Sequence, residues 1–250
     1  MIKWLFVFFT FFTVTCHGQC RVVGQFDVQA GGILVLTNGV TQFVSPQGVV
    51  LGFWSEGWEV EADTLRNIGG AENFGLWVES ETVTGSATVR GGLMVIKPDV
   101  LRVRSALLTG EHVARLANDP DGGGDGYFDT VGPAENVRVW VNGKEDEPLQ
   151  ADVWQIVSFI LPSEMSLENA MIFGDPGLPS WKRGFEGETK SVVLLGGGDI
   201  QEAALRGMEH ALALRFKIKG IKLADAGERN AAWAAGFNAH GVWRTLFLVK

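Results

Sequence analysis

Cysteine is nearly missing from this chain, and its two copies, Cys16 and Cys20, both lie near the N-terminus. No disulfide framework can staple the body of such a fold, so its stability has to come from buried apolar surface. Histidine is sparse as well: His112, His210 and His240 are scattered and show no metal-ligand spacing. There is no G-x-S-x-G elbow for a nucleophilic serine and no Walker A loop for nucleotide phosphates. Gly196-Gly197-Gly198 follows an apolar run, but Gln201 stands where a dinucleotide fingerprint needs its third glycine. Positive charge is in deficit too. With 29 acidic against 21 basic residues and a net charge of −8, nucleic acid and anionic lipid are poor partners. The same imbalance leaves carboxylates available for a cation.

Long apolar runs are limited to one, at the start. Lys3 precedes Trp4 to Val14, a Phe-rich stretch shorter than the ~20 residues that span a bilayer. Length and flanks predict a secretory signal peptide over residues 1–18, leaving at Cys16-His17-Gly18 so that the mature chain begins at Gln19. Thr13-Val14-Thr15-Cys16 is loosely similar to a bacterial lipoprotein site. Thr13 stands there in place of the usual branched apolar residue, which favours soluble export over lipidation of Cys16. The expected location is therefore the bacterial cell surface or the medium.

The rest reads as strand, turn, strand. Ile33 to Leu36 runs into Asn38-Gly39 and Thr41 to Val44. Arg138 to Val141 runs into Asn142-Gly143 in the same way, and Asn-Gly between apolar runs is the strongest short hairpin signal. Further strands are expected over Val49 to Trp54, Gly75 to Val78, Leu93 to Ile96, Leu101 to Leu108, Trp154 to Leu161, Met171 to Phe173, Lys190 to Leu195 and Val242 to Val249. Trp154 to Leu161 is apolar on both faces, as for a strand inside a sandwich. The 33 glycines fall mostly between these runs, as many short strands require. One packing helix stands out: Asp199 and Glu202 form a capping-box pattern, Leu205, Met208, Leu212 and Phe216 share a face, and Gly220 ends it. Gln201, Arg206 and His210 are expected to face elsewhere. The C-terminal stretch allows a short helix over Glu228 to Ala235 and a closing strand. No repeat or linker divides residues 19–250, so one all-β domain is expected.

Several segments between Gly92 and Ile218 occur together in a familiar order. They are Leu93-Met94-Val95-Ile96-Lys97-Pro98, the Asn142-Gly143 hairpin, the Trp154-led strand, Ile172-Phe173-Gly174, Gly184-Phe185-Glu186-Gly187-Glu188, and Glu209 to Phe216. This set resembles the bacterial laminin-G-like members of the concanavalin A-like lectin/glucanase superfamily. The resemblance covers about half the chain. Lys190 departs from it, standing where the family usually carries an acid. It implies a two-sheet jelly roll, and its members bind glycans, bind proteins or hydrolyse polysaccharides.

Three groups of residues carry candidate chemistry. Asp119, Asp121, Asp125 and Asp129 lie in a glycine-rich loop and supply the oxygen ligands and sharp turns that Ca²⁺ prefers, without the glutamate that ends an EF-hand loop. A solvated turn accounts for the same residues about as well. Glu59, Glu61 and Asp63 alternate, loosely as in the family's glucanases. On a regular strand they stand about 6.6 and 13 Å apart, against the roughly 5 Å of a retaining carboxylate pair. An exposed acidic face is therefore the expectation there, and no catalytic residue is assigned. Trp54, Trp58, Trp77, Trp181, Trp233 and Trp243 offer flat rings for a pyranose, although most Trp in such folds is core. Trp181, in a loop-like stretch beside Lys182 and Arg183, and Trp58 are the ligand-binding candidates. The expected role is an extracellular binding or adhesion module for a glycan or a protein, ahead of a structural subunit of a surface layer or filament and of a glycoside hydrolase.

Overall fold

The computed structural model describes residues 20–27, 33–37, 40–44, 50–54, 58–61, 64–67, 76–78, 88–101, 106–109, 113–115, 137–166, 171–174 and 185–237. Within them the protein is mostly β, with two helices, and every strand pairing is antiparallel.

The strands in chain order are β1 (Arg21–Asp27), β2 (Ile33–Thr37), β3 (Val40–Val44), β4 (Val50–Trp54), β5 (Trp58–Glu61), β6 (Thr64–Asn67), β7 (Leu76–Val78), β8 (Thr88–Pro98), β9 (Ala106–Thr109), β10 (Val113–Arg115), β11 (Arg138–Val141), β12 (Lys144–Glu145), β13 (Gln155–Ser166), β14 (Met171–Ile172) and β15 (Gly187–Gly196). An eight-stranded sheet runs β12-β11-β13-β8-β15-β6-β5, with β1 also on β15, and a seven-stranded sheet runs β10-β9-β14-β7-β4-β3-β2.

Both Asn-Gly signals produce hairpins. Thr37 pairs with Val40, leaving two residues between the strand ends. Val141 pairs with Lys144, and Asn142 (φ 51°) and Gly143 (φ 81°) both take positive φ, the backbone of a type I′ turn. Strands β1, β5, β6 and β10 have no counterpart among the expected strands, and the strand expected from Leu101 is described only from Ala106. The expected strand over Val242 to Val249 lies outside the described residues.

Period-2 alternation sends the side chains of the central strands to two different cores. Met94, Ile96, Val157, Phe159, Val192 and Leu194 join Leu107, Leu108 and Ile172, so one core is shared by residues of both sheets. Leu93, Val95, Ile156, Val193 and Leu195 point the other way, onto α1 (Glu202–Phe216) and α2 (Ala226–Ala234). This corrects the reason for the doubly apolar run in β13. Its second face is apolar because helices cover it, not because a sandwich interior surrounds it.

The helix expected from Leu205, Met208, Leu212 and Phe216 is α1, laid on the sheet; the first three are buried and Phe216 packs at the rim. Its expected cap is wrong. The N-cap is Gln201 with no side-chain cap bond, and the helix closes at Lys217 in a left-handed conformation before Gly220 is reached. The capping box belongs to α2, where Asp225 and Glu228 satisfy one another's backbone amides at 2.9 and 2.8 Å. His210, expected off the apolar face of α1, is buried at 3 % exposure and meets the Ala224 amide beside the start of α2. The helices cross closely: a Cβ on Gly207 would stand 2.2 Å from the Glu228 carbonyl oxygen, so only glycine fits there. No described helix is long and apolar enough to cross a membrane.

Candidate functional site

Register across four strands assembles a row of charges that no local sequence pattern shows. Glu59 of β5 stands opposite Arg66 of β6, Arg66 opposite Glu188 of β15, and Glu188 opposite Lys97 of β8. Directly opposed residues share a face of the sheet. Lys97 lies two residues past Val95, so the row is on the helix-facing side.

Side chains bear out the pairing from Arg66 onward. Glu188 accepts from Arg66 Nη1 at 2.7 Å and pairs with Lys97 Nζ at 2.6 Å, while Arg66 Nη2 donates to Asp99 at 3.0 Å. Burial alone would raise the Glu188 carboxyl. The bond from Lys97 and the charges of Lys97 and Arg66 outweigh it and hold the group below its ordinary range. Glu188 is thus a fixed anion at neutral pH, unsuited to donating a proton.

Trp154 closes the row. Lys97 Nζ lies 5.7 Å from its ring centroid and Lys190 Nζ 4.7 Å, both within cation–π range. Lys190 reaches the ring because a bulge between Thr189 and Ser191 takes it out of the regular alternation. Val100 and Val153 are exposed, at 41 and 42 %, and the Asp152 amide donates to the Pro98 carbonyl at 2.7 Å, tying their two segments together. The end of the sheet therefore offers a partly exposed indole, two ammonium groups and neighbouring apolar surface. Chemically this suits a ligand with one apolar face and a rim of hydrogen-bonding oxygens.

A second ionic cluster sits under α1. Glu209, 1 % exposed, accepts from the Ser158 hydroxyl and from Arg206 Nη1 at 2.6 Å. Burial pushes its carboxyl up, against those two partners. Arg206 also lies 5.2 Å from the Trp140 ring, which Arg138 approaches at 4.6 Å. Arg138 in turn binds Glu145 through two bonds and Glu202 at 2.6 Å, fixing the β11–β12 hairpin to the start of α1. Ser158 is fully buried and gives its hydrogen to a carboxylate, so this cluster anchors a helix and presents no nucleophile to solvent.

The sequence-derived candidates fare differently. Trp181 and Asp119, Asp121, Asp125 and Asp129 lie outside the described residues, as do Asp63, Trp243 and Cys16. Trp58 is on β5 opposite Asn67, while Trp54 and Trp77 pair with one another on β4 and β7. Trp233, on α2, is 67 % exposed. Glu59 and Glu61 sit on a strand paired without a register break, so β5 lacks the bulge that a close carboxylate pair there would need. Cys20 is a free, buried thiol lining a cavity of about 30 Å³ with Gln201, Ala204, Ala231, Ala234 and Ala235, room for a water molecule. Among the described residues no group of three or more His, Cys, Asp and Glu is placed to hold a metal. No family model, curated protein or solved structure matches the chain.

Proposed function

We propose that the protein is an exported binding module that takes up saccharide at the open end of its eight-stranded sheet. The observation that carries this reading is Trp154, a partly exposed ring attended by Lys97 and Lys190. An indole face matches the apolar face of a pyranose, and ammonium groups beside it donate to ring and hydroxyl oxygens. The frame we propose is a concanavalin A-like jelly roll of the laminin-G-like kind, which the two antiparallel sheets and their shared core are compatible with. Trp181 and Trp58 remain proposed ligand contacts. The Asp119, Asp121, Asp125 and Asp129 loop remains a proposed Ca²⁺ site, and the signal peptide would deliver the module to the cell surface or medium.

Screening the mature chain on a glycan array, with millimolar Ca²⁺ and with chelator, tests the reading. Binding to a defined set of saccharides, lost in Trp154→Ala, is expected. An empty array, or equal binding by the variant, overturns it.

One observation favours self-assembly as a second reading. Strand β2, Ile-Leu-Val-Leu-Thr, ends the seven-stranded sheet and pairs on one side only among the described residues. An uncharged apolar edge invites another strand. Light scattering that rises with concentration, and falls in Val35→Lys, supports that reading.

A further inference from the structure

Helices α1 and α2 share an apolar seam that includes Leu205, Met208 and Ala232, and at the start of α2 an imidazole adds a hydrogen bond to it. The Ala224 amide donates to His210 Nδ1 at 3.1 Å, and Ala224 immediately precedes Asp225, the N-cap of α2. The rest of that corner is pinned locally: Arg229 Nη1 donates to the Ala224 carbonyl at 2.7 Å, and Asp225 and Glu228 close the capping box. A turn further back on α1, Gly207 meets the Glu228 carbonyl with no room for a side chain, so the two helices have little slack.

A backbone N–H can only donate, so Nδ1 must present its lone pair and the ring proton must sit on Nε2. Nε2 is buried and has no partner among the described residues. Any further proton can therefore enter only at Nδ1, the atom already in use.

We propose that His210 is a proton-operated latch: protonation of Nδ1 expels the Ala224 amide and frees the N-terminal end of α2 from α1. Two donors cannot face one another at hydrogen-bond distance, so the imidazolium and the docked corner exclude each other.

The charges around the ring set the direction. Burial disfavours the imidazolium first, Arg229 on α2 adds to this, and Glu228 on α2 opposes it. Asp225 caps α2 at the same corner. On α1, Glu209 and Arg206 are committed to Ser158 and to one another; the helix-facing side of the sheet also carries Ser191, Arg138 and the Arg66, Glu188 and Lys97 row. His210 thus protonates below its ordinary value of 6.5. The released form takes the proton from about 6.5 downward while the docked form resists it. Docking is complete above that value and is lost as pH falls through the docked-state value.

Hydrogen exchange of the mature chain at pH ~7.5 and ~5, corrected for intrinsic rates, tests the latch. Residues 222–234 are expected to lose protection on acidification, by at most about tenfold per pH unit, the limit for one proton. His210→Asn keeps an acceptor near the Nδ1 position without taking up a proton, and its α2 should be indifferent to pH. Equal protection of wild-type α2 at both pH values, or an equal acid loss in His210→Asn, overturns the proposal. Imidazole nitrogen spectra of the unmodified chain give a check that needs no variant. A neutral His210 with hydrogen on Nε2 is expected at pH ~7.5, and hydrogen on Nδ1 there overturns the latch.

Discussion

Glu188 and Glu209 lie on the same side of the eight-stranded sheet, each beside an arginine, and their carboxyls are driven in opposite directions. Glu188 keeps 11 % of its side chain in water and has two cations, Arg66 and Lys97. Glu209 keeps 1 % and has one, Arg206, with a neutral hydroxyl in the second place. Losing hydration costs a carboxylate more than one cation returns, whereas two cations at a site that keeps some solvent reverse the balance. The covered region uses its charges to hold a helix. The open region keeps its charges and Trp154 within reach of solvent, and so within reach of a ligand.

The largest expected effect lies at the covered region. Glu209→Ala removes one partner of a buried pair and should cost about 3 kcal/mol by urea denaturation, the lower end of the usual range because Arg206 retains some solvent. A cost near zero would place Glu209 with the surface glutamates. Glu188→Ala should cost about 1 kcal/mol, as for a solvent-screened pair, because Arg66 keeps Asp99 and Lys97 keeps the Trp154 ring.

Smaller again are the pH-dependent parts, whose signs should oppose. A carboxyl held low stabilises the fold above its ordinary value of 4.5 and loses that contribution as pH falls through its folded-state value. A carboxyl held high contributes below 4.5 and loses its contribution as pH rises through its folded-state value. Measured between pH ~3 and ~7, the stability difference between wild type and Glu188→Gln should thus grow with pH, while that for Glu209→Gln should move in favour of the variant. Parallel slopes would show that the two carboxyls are shifted in the same direction. Lys190→Ala should have the least effect on stability, about 0.5 kcal/mol for one exposed cation–π contact, yet it should weaken saccharide binding.

How much of this was readable in advance depends on the range over which each signal acts. Asn38-Gly39 and Asn142-Gly143 announce their hairpins because a two-residue turn is decided within four residues. The apolar face of α1 is equally local. Its cap is not: Asp199 and Glu202 carry the right letters, but Asp199 forms a strand bridge and Gln201 enters the helix. Strand β6 carries little local signal because Thr64–Asn67 is four residues and mostly polar; its pairing with β5 is local, but its place in the sheet depends on β15, far along the chain. The Arg66, Glu188, Lys97 and Trp154 row has no local signal, since Arg66 and Glu188 are 122 residues apart. Lys190 opens an expected strand and departs from a family pattern, but only the bulge beside it gives it the Trp154 ring to sit over. Helical period sets His210 off the apolar face of α1, but it cannot foresee the start of α2 covering that residue.

Under the proposed function, ligand binds at the Trp154 end of the sheet. Indole NMR of the ¹⁵N-labelled mature chain, titrated with a saccharide selected on the array, addresses it most directly. The Trp154 indole signal is expected to move with saturation while that of Trp140, buried under α1, stays in place. Saturable binding that leaves the Trp154 signal unmoved would contradict it.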